Sequence, residues 1–290
     1  MDGGEAETAR AQPLDPRAWM GALADSVALS AVSIPGTHDT CALHGGPGPQ
    51  TQSRTLLEQL ESGVRFLDIR CRRERDVFKI FHGVVDQRLE YGDGVQQVCL
   101  DFLSAHPSET IVMSVKPEGD GGGNTQTFEQ IFRSYIKRFS CEARWALADV
   151  VPSLAEARGR IVLFRRFHAD APGAVLGLSP LPWPDNTVFD VDGAASFRIQ
   201  DAWRIPTLAD RDLKWTRVKA LLDEAKAGAP KVFVNFLSGT GAQYRPRIMA
   251  DHINPRLANY LAARPKGRLG WLLLDFETDA LNRLIFGTNF

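Results

Sequence analysis

No stretch of this 290-residue sequence approaches the roughly 18 consecutive apolar residues of a membrane-spanning helix, so a transmembrane protein is not predicted. A surplus of positive charge is also missing, because 34 Lys and Arg residues face 35 Asp and Glu residues and give a net charge of −1. Nucleic-acid-binding proteins need such a surplus to displace counterions, so nucleic acid is not expected as a partner. The amino terminus lacks the basic and apolar regions of a secretory signal. The chain is therefore expected either to stay inside the cell or to lack a removed leader.

Cysteine is scarce, with only Cys41, Cys71, Cys99 and Cys141, and no two of them form a CxxC pair. A structural zinc site and a disulfide scaffold are therefore not predicted. Four buried thiols are the favoured interpretation. A bridge between Cys41 and Cys71 is the alternative that the sequence leaves open.

The remaining composition is that of an ordinary globular protein, with 44% apolar and 24% charged residues. Residues 1–14 are predicted to form a flexible tail, and residues 15–290 a single domain. Five segments have helical patterns: 56–62, 94–105, 125–138, 213–227 and 255–263, the last with Asn254 as its N-cap.

Short β-rich runs, mostly continuously apolar rather than alternating, recur along the chain at 32–34, 64–69, 77–81, 110–115, 160–164, 196–199, 231–236 and 269–274. Continuous apolar strands are typical of a parallel sheet that is covered on both faces. Eight of them predict a closed (β/α) barrel. The competing open, doubly wound sheet lacks support, because no GxGxxG follows the first strand.

Polar side chains follow the ends of these runs. His38 and Asp39 follow the first run, Asp68 and Arg70 end the second, and His82 follows the third. The later runs lead into Lys116 and Glu118, Arg165 and Arg166, Asp201 and Trp203, Asn235, and Asp275. Since the carboxyl ends of barrel strands converge on one mouth, these side chains are expected to form an active site there.

The residue types at this mouth suit the cleavage of a phosphodiester. His38 and His82 can act as base and acid in one turnover, because imidazole titrates near neutral pH. Asp275 is a candidate for orienting one histidine, and Arg70 offers a planar fork that matches phosphate oxygens. Asp68 and Arg70 flank Ile69 and so point to the same face of their strand. The alternative to a catalytic role is that these two residues form a buried salt bridge that serves only the fold.

Nine segments, in order, resemble bacterial phosphatidylinositol-specific phospholipase C. They are SIPGTHDT (33–40), RFLDIR (65–70), FHG (81–83), PSETIVMSVKPE (107–118), GRIVLFRRF (159–167), WPDN (183–186), INP (253–255), ANY (258–260) and GWLLLDF (270–276). The resemblance spans roughly residues 25–280. It implies a distorted TIM (β/α)8 barrel of the α/β class, in which residues 15–290 form the catalytic X-type domain. It also implies cleavage of phosphatidylinositol to diacylglycerol and inositol 1,2-cyclic phosphate.

The resemblance further implies a role for each matched residue. His38 resembles the general base, Asp275 its orienting carboxylate, His82 the general acid and Arg70 the phosphate-stabilising group. Asp39 and Asp68 resemble the carboxylates that position His82 and Arg70. The inositol-binding residues implied in this way are Lys116, Arg166 and Asp201, with Trp203 as an aromatic platform under the ring.

No metal or other cofactor is expected, because Arg70 would occupy the space that calcium takes in calcium-dependent relatives. The expected partner is a membrane surface containing phosphatidylinositol, contacted transiently by a monomer. Secretion is implied by the family but not by this amino terminus. Two stretches matching the family's membrane-contact segments, 43–52 and 238–249, contain no Trp. Interfacial binding is therefore expected either to be weaker or to use a basic-aromatic segment with Tyr244, Arg245, Arg247, Ile248 and Met249 as candidates. Trp19 and Met20 are further candidates, with a role in plugging the barrel bottom as their alternative.

Two other functions remain open from the sequence. One is a different phosphodiesterase with two catalytic histidines, acting on glycerophosphodiesters. The other is a catalytically inactive inositide-binding module.

Overall fold

The computed structural model describes residues 14–138, 141–228, 230–263 and 266–290. The tail predicted at 1–14 lies outside these ranges except for its last residue. The strands are β1 (Ile34–Thr37), β2 (Phe66–Glu74), β3 (Val77–His82), β4 (Val85–Glu90), β5 (Ile111–Asp120), β6 (Trp145–Ala146), β7 (Ile161–Arg165), β8 (Val188–Val191), β9 (Phe197–Gln200), β10 (Val232–Phe236) and β11 (Trp271–Leu274). The helices are α1 (Leu56–Glu61), α2 (Val98–Ala105), α3 (Phe128–Arg138), α4 (Leu154–Ala157), α5 (Leu208–Lys226), α6 (Pro246–Ala262) and α7 (Asp279–Phe286).

Eight parallel strands form a curled sheet in the order β6-β7-β5-β2-β1-β11-β10-β9, with β8 antiparallel on the edge of β9. Among the described residues this order ends at β6 and β8, so hydrogen bonds do not close the barrel there. The predicted α/β barrel is therefore confirmed in a distorted form.

The run at 77–81 is not a barrel strand, contrary to the prediction. β2 continues past the barrel to Glu74, and β3 turns back antiparallel on this extension, with Cys71 opposite Ile80. The burial of β3 alternates over its first four residues, with Phe78 and Ile80 buried on either side of a half-exposed Lys79. Such alternation is the pattern of a hairpin strand covered on one face. The eighth parallel strand is instead β6, whose two residues are too short for a sequence pattern.

Two predicted helix starts are also wrong. α6 begins at Pro246 rather than at Pro255, which lies inside the helix. Asn254 is therefore not an N-cap, and its Nδ2 donates instead to the backbone oxygen of Asp275 at 3.0 Å. α5 begins at Leu208 rather than 213, because Thr207 forms a capping box with Asp210.

All four cysteines are buried with free thiols, as favoured from the sequence. Within the described ranges, no helix has both the length and the apolar character needed to cross a bilayer.

A fully buried ion pair joins Arg65, just before β2, to Glu109, just before β5. Arg65 donates from Nε to Glu109 at 2.9 Å, and its other nitrogens donate to the backbone oxygens of Leu60, Val64, Pro16 and Arg17. Neither side chain has exposed surface. The pair therefore depends wholly on protein partners for its solvation.

Removing the charge of Glu109 should strongly destabilise the protein. Glu109→Gln leaves the buried Arg65 guanidinium without a counter-ion, and we expect a loss of about 3–5 kcal/mol in the free energy of unfolding. Urea denaturation measures it. Asp251→Asn, which breaks the exposed Arg247–Asp251 pair, is the matched control and should cost less than about 1 kcal/mol. Equal effects of the two variants would contradict the prediction.

Candidate active site

The alternation of side chains along the barrel strands places polar groups directly above the apolar core. Phe66, Val112, Phe164, Phe197 and Trp271 belong to one buried cluster. Residues two or four positions further along the chain point to the same side as these core residues, but lie closer to the mouth of the barrel. They are Asp68, Arg70, Ser114, Lys116, Arg166, Asp201 and Asp275, and β2 and β5 are in register so that Arg70 lies beside Lys116.

His38 follows β1 and is held at both ring nitrogens. Its Nδ1 lies 2.8 Å from Oδ1 of Asp275, and its Nε2 lies 2.7 Å from a terminal nitrogen of Arg70. A guanidinium can only donate, so Nε2 is the acceptor and Nδ1 carries the proton toward Asp275. Burial, followed by the charge of Arg70, holds the pKa of His38 well below its ordinary value. The imidazole is therefore neutral, with the basic lone pair on Nε2.

His82 ends β3 on the other side of the mouth, with its ring centroid 6.4 Å from that of His38. Its Nδ1 lies 2.5 Å from the backbone oxygen of Pro49 and 3.2 Å from Oδ2 of Asp39. Both neighbours are acceptors, so Nδ1 carries a proton and Nε2 is left for a ligand. Burial raises the pKa of Asp39 to about 6, although Arg70 and His82 oppose this shift.

Arg70 contacts His38 and three carboxylates, one of which, Asp39, also contacts His82. Its Nε lies 3.2 Å from Asp68, and one terminal nitrogen lies 3.3 Å from Asp39 and 3.8 Å from Glu118. Burial opposes the charge of Arg70, yet Asp39 and Asp68 raise its pKa. Burial likewise opposes the charge of Asp68, but Arg70 and Arg166 hold its pKa well below the ordinary value. Arg70 and Asp68 are therefore permanently charged beside the neutral imidazole of His38.

The opposite wall of the mouth carries the residues predicted to bind a polyol. Arg166 stacks on Trp183, with its guanidinium carbon 3.5 Å from the ring centroid, and lies 3.4 Å from Asp68. Asp201 accepts from the Trp183 indole at 3.0 Å and lies 4.0 Å from Arg166. Half-buried Trp203 donates its indole nitrogen to Asp185, at 2.9 Å. This wall therefore presents aromatic surface next to charged hydrogen-bonding groups.

Lys116 lies beside Arg70 on the neighbouring strand and donates to Glu118 at 3.0 Å. The charge of Arg70, followed by burial, lowers the pKa of Lys116. Glu118 also accepts from the backbone nitrogen of Gly83 at 3.0 Å, next to His82. Burial would raise the pKa of Glu118, but Arg70 and Lys116 keep it below its ordinary value.

A single cavity of about 530 Å³ brings these groups together. Eight of the ten predicted site residues line it: His38, Arg70, His82, Lys116, Arg166, Asp201, Trp203 and Asp275. The other two, Asp39 and Asp68, are fully buried beneath it and contact Arg70. Of the neighbouring Arg165 and Arg166, only Arg166 lines the cavity, because Arg165 points to the other face of its strand and donates to the backbone oxygens of Leu176 and Phe167.

Glu118 and Trp183 also line the cavity but were not predicted as functional. Glu118 was noted only as a strand-end carboxylate, although its spacing of two from Lys116 places both on one face. Trp183 lies in the WPDN segment. Lys214 on α5, which donates to Gln200 and Ala202 on either side of Asp201, has no sequence signal. Within the part of the chain that the structure describes, no group of three or more His, Cys, Asp and Glu side chains is arranged to hold a metal ion.

Comparison with known proteins gives consistent matches. The family model of the phosphatidylinositol-specific phospholipase C X domain matches residues 26–167. A 1-phosphatidylinositol phosphodiesterase of Staphylococcus aureus is 35% identical over 280 residues, covering 90% of this chain and 88% of that protein. A solved phosphatidylinositol-specific phospholipase C of the same species, studied for the modulation of its membrane binding, has a TM-score of 0.86 and 32% identity over 95% of this chain and 98% of that one. The phosphatidylinositol-specific phospholipase C of Listeria monocytogenes has a TM-score of 0.76 and 27% identity over 95% and 99%.

Proposed function

Because the chain belongs to the phosphatidylinositol-specific phospholipase C family, we propose that it cleaves phosphatidylinositol to diacylglycerol and inositol 1,2-cyclic phosphate by metal-independent general acid–base catalysis with two histidines. The observation that carries the proposal is the geometry of His38. Asp275 fixes its tautomer, so the basic lone pair lies on Nε2, which accepts from Arg70 in a cavity that Arg70 and His82 also line.

The first step begins with Nε2 of His38, which removes the proton from the inositol 2-hydroxyl. The 2-oxygen then attacks the neighbouring phosphorus atom, so the reaction is intramolecular and needs no protein nucleophile. As the bond from phosphorus to the glycerol oxygen breaks, Nε2 of protonated His82 gives its proton to that oxygen. In the slower second step the roles reverse, and His82 activates a water molecule that opens the cyclic phosphate.

Arg70 has two tasks in this proposal. In the ligand-free site it donates to Nε2 of His38, which is the atom that must accept the substrate proton. A phosphate group that attracts the guanidinium frees this lone pair, so phosphate binding and activation of the base are coupled. The low pKa of His38 keeps it neutral below the ordinary titration range of imidazole, so the base is ready over a wide pH range.

In this proposal the inositol headgroup binds to the wall of the mouth opposite the two histidines. Lys116, Arg166 and Asp201 offer donors and acceptors to the ring hydroxyls, and Trp203 supplies a flat apolar surface under the ring. The choice between plain phosphatidylinositol and glycan-bearing anchors stays open. The monomeric state also stays a prediction.

Membrane contact is proposed to be peripheral and transient. Of the five candidates in 244–249, the prediction for Met249 is wrong. Its side chain is fully buried in the same apolar cluster as Ile253 and Leu257 and cannot contact a membrane. Ile248 stays exposed at the start of this helix, where Pro246 lines the cavity. An exposed apolar side chain beside the mouth suits insertion into a lipid interface.

The decisive experiment is ³¹P NMR of the protein with phosphatidylinositol vesicles. The proposal expects a cyclic phosphate signal that appears first and decays slowly to inositol 1-phosphate. Direct formation of inositol 1-phosphate with no cyclic intermediate would contradict the mechanism. Turnover of glycerophosphoinositol alone would favour the other phosphodiesterase, and binding without any product would favour the inactive module.

Chelation of metal ions should leave the activity unchanged. Asp39 and Asp68 both contact Arg70, so a divalent cation at the phosphate position would meet a fixed positive charge and too few free oxygen ligands. We expect EDTA to change the initial rate by less than about twofold. Loss of activity in EDTA and its recovery with calcium would overturn this part of the proposal.

A further inference from the structure

We propose that Lys214, a buried residue outside the cavity, is a positioning residue that keeps the substrate-binding Asp201 in place. The inference rests on the proposed function, since it assigns Lys214 a role in that same site. Lys214 lies on α5 and has no exposed surface. A buried ammonium group is costly unless it has polar or charged partners.

The hydrogen bonds of Lys214 hold the chain on both sides of Asp201. Its Nζ donates to Oε1 of Gln200 at 3.1 Å and to the backbone oxygen of Ala202 at 3.0 Å. The backbone nitrogen of Ala202 donates to the same Gln200 oxygen at 2.8 Å. The end of β9 is therefore folded around the ammonium group, and the carboxylate of Asp201 projects from this turn into the cavity.

The same network reaches the neighbouring strand. Nε2 of Gln200 donates to the side chain of Asn235 at 2.8 Å and to the backbone oxygen of Phe236 at 2.7 Å. Nδ2 of Asn235 donates to the backbone oxygen of Val218, one turn after Lys214 on α5. Gln200 and Asn235 are also buried. The helix, β9 and β10 are thus joined by polar bonds directly beneath the mouth.

Hydrogen bonds alone would not require a charged residue here, because an amide could donate to the same two oxygens. The charges around Lys214 supply the reason. Burial lowers the pKa of Lys214 to about 7, although Asp201, after β9, and Asp275, after β11, oppose this shift; Arg217 on its own helix adds to it. Lys214 is therefore an ammonium group on the acidic side of neutral pH. β10 contributes the uncharged Asn235. Burial raises the pKa of both Asp201 and Asp275, and the Lys214 ammonium lowers both.

The test compares the wild type with Lys214→Gln, which keeps a donor for Gln200 and Ala202 but removes the charge, and with Lys214→Met, which removes both. The exposed Lys219→Met on the same helix is the matched control. The kcat/KM for a soluble short-chain phosphatidylinositol is measured from pH 4 to pH 9. Without the ammonium group the two carboxylates protonate at higher pH. We therefore expect the acidic limb to move up by about one pH unit in both Lys214 variants, with about a tenfold loss on that limb.

Binding of inositol 1,2-cyclic phosphate, measured by calorimetry over the same pH range, separates this inference from the proposed function. If the wild type binds but does not turn over, the proposed function fails, and the shift of the binding profile still tests Lys214. Folded Lys214 variants with the wild-type pH profile and KM would overturn the inference. Loss of cooperative thermal unfolding in both variants would also overturn it, because Lys214 would then serve the fold alone. A wild type that neither binds nor turns over overturns both.

Discussion

His38→Ala should lower kcat for cyclic phosphate formation by about 10³-fold, and His82→Ala should have an effect of similar size. Removal of either side chain deprives one proton transfer of its catalyst, and no other described imidazole lies in the cavity. The effect should fall on kcat rather than KM, because neither histidine is assigned to hold the inositol ring. Initial rates with a soluble short-chain substrate measure it without the complication of membrane binding.

The two histidines can be told apart by the leaving group. A substrate that releases a nitrophenol instead of diacylglycerol needs no acid, because its leaving oxygen is already stable as an anion. We expect this substrate to restore most of the lost rate in His82→Ala and none of it in His38→Ala. Restoration in both variants, or in neither, would contradict the assignment of base and acid.

His168→Ala is the matched control for both variants. His168 is exposed, follows β7 and does not line the cavity. Its replacement should leave the rate unchanged, and circular dichroism should show the same fold in all three variants. A fall in rate for His168→Ala comparable to that for His38→Ala would contradict the assignment. It would mean that replacing a histidine lowers the rate by disturbing the fold and not by removing a catalytic group from the cavity.

The sequence could predict that the site residues come together in one cavity, because their positions depend on the alternation of side chains along the strands. Asp68 and Arg70 flank one residue on β2, so they share a face, and the buried phenylalanine two positions before Asp68 shows which face is inward. The strand containing His82 was assigned to the barrel wrongly, yet the residue was assigned to the mouth correctly. The β2–β3 hairpin returns the chain to the level of Ile69, and so brings His82 back over the barrel opening.

What the sequence could not predict depends on contacts between distant segments. The burial of Lys214 is decided by Gln200 and Ala202, and helical periodicity alone gives a lysine no reason to be inside. β6 is only two residues long and exists because β7 offers it an edge. The stacking of Trp183 on Arg166 joins a loop to a strand end, and no pattern in either segment indicates it.

Arg70→Lys should lower kcat by about 10²- to 10³-fold, although it preserves the charge. The three guanidinium nitrogens contact Asp68, Asp39 and His38 separately, and a single ammonium group cannot occupy those three positions. It also cannot present two parallel donors to the phosphate oxygens. Arg73→Lys is the control on the same strand, since Arg73 pairs with Asp120 outside the cavity.

A second variant shows whether the lost group is the guanidinium itself. Arg70→Ala leaves an open space among three carboxylates, and added guanidinium ion should bind there and recover part of the rate in a saturable manner. Methylammonium ion, which carries the same charge but lacks the fork, should recover much less. If Arg70→Lys retained near-normal kcat, or if both ions rescued Arg70→Ala equally, charge alone would be sufficient, and the coupling between phosphate binding and release of the His38 lone pair would not hold.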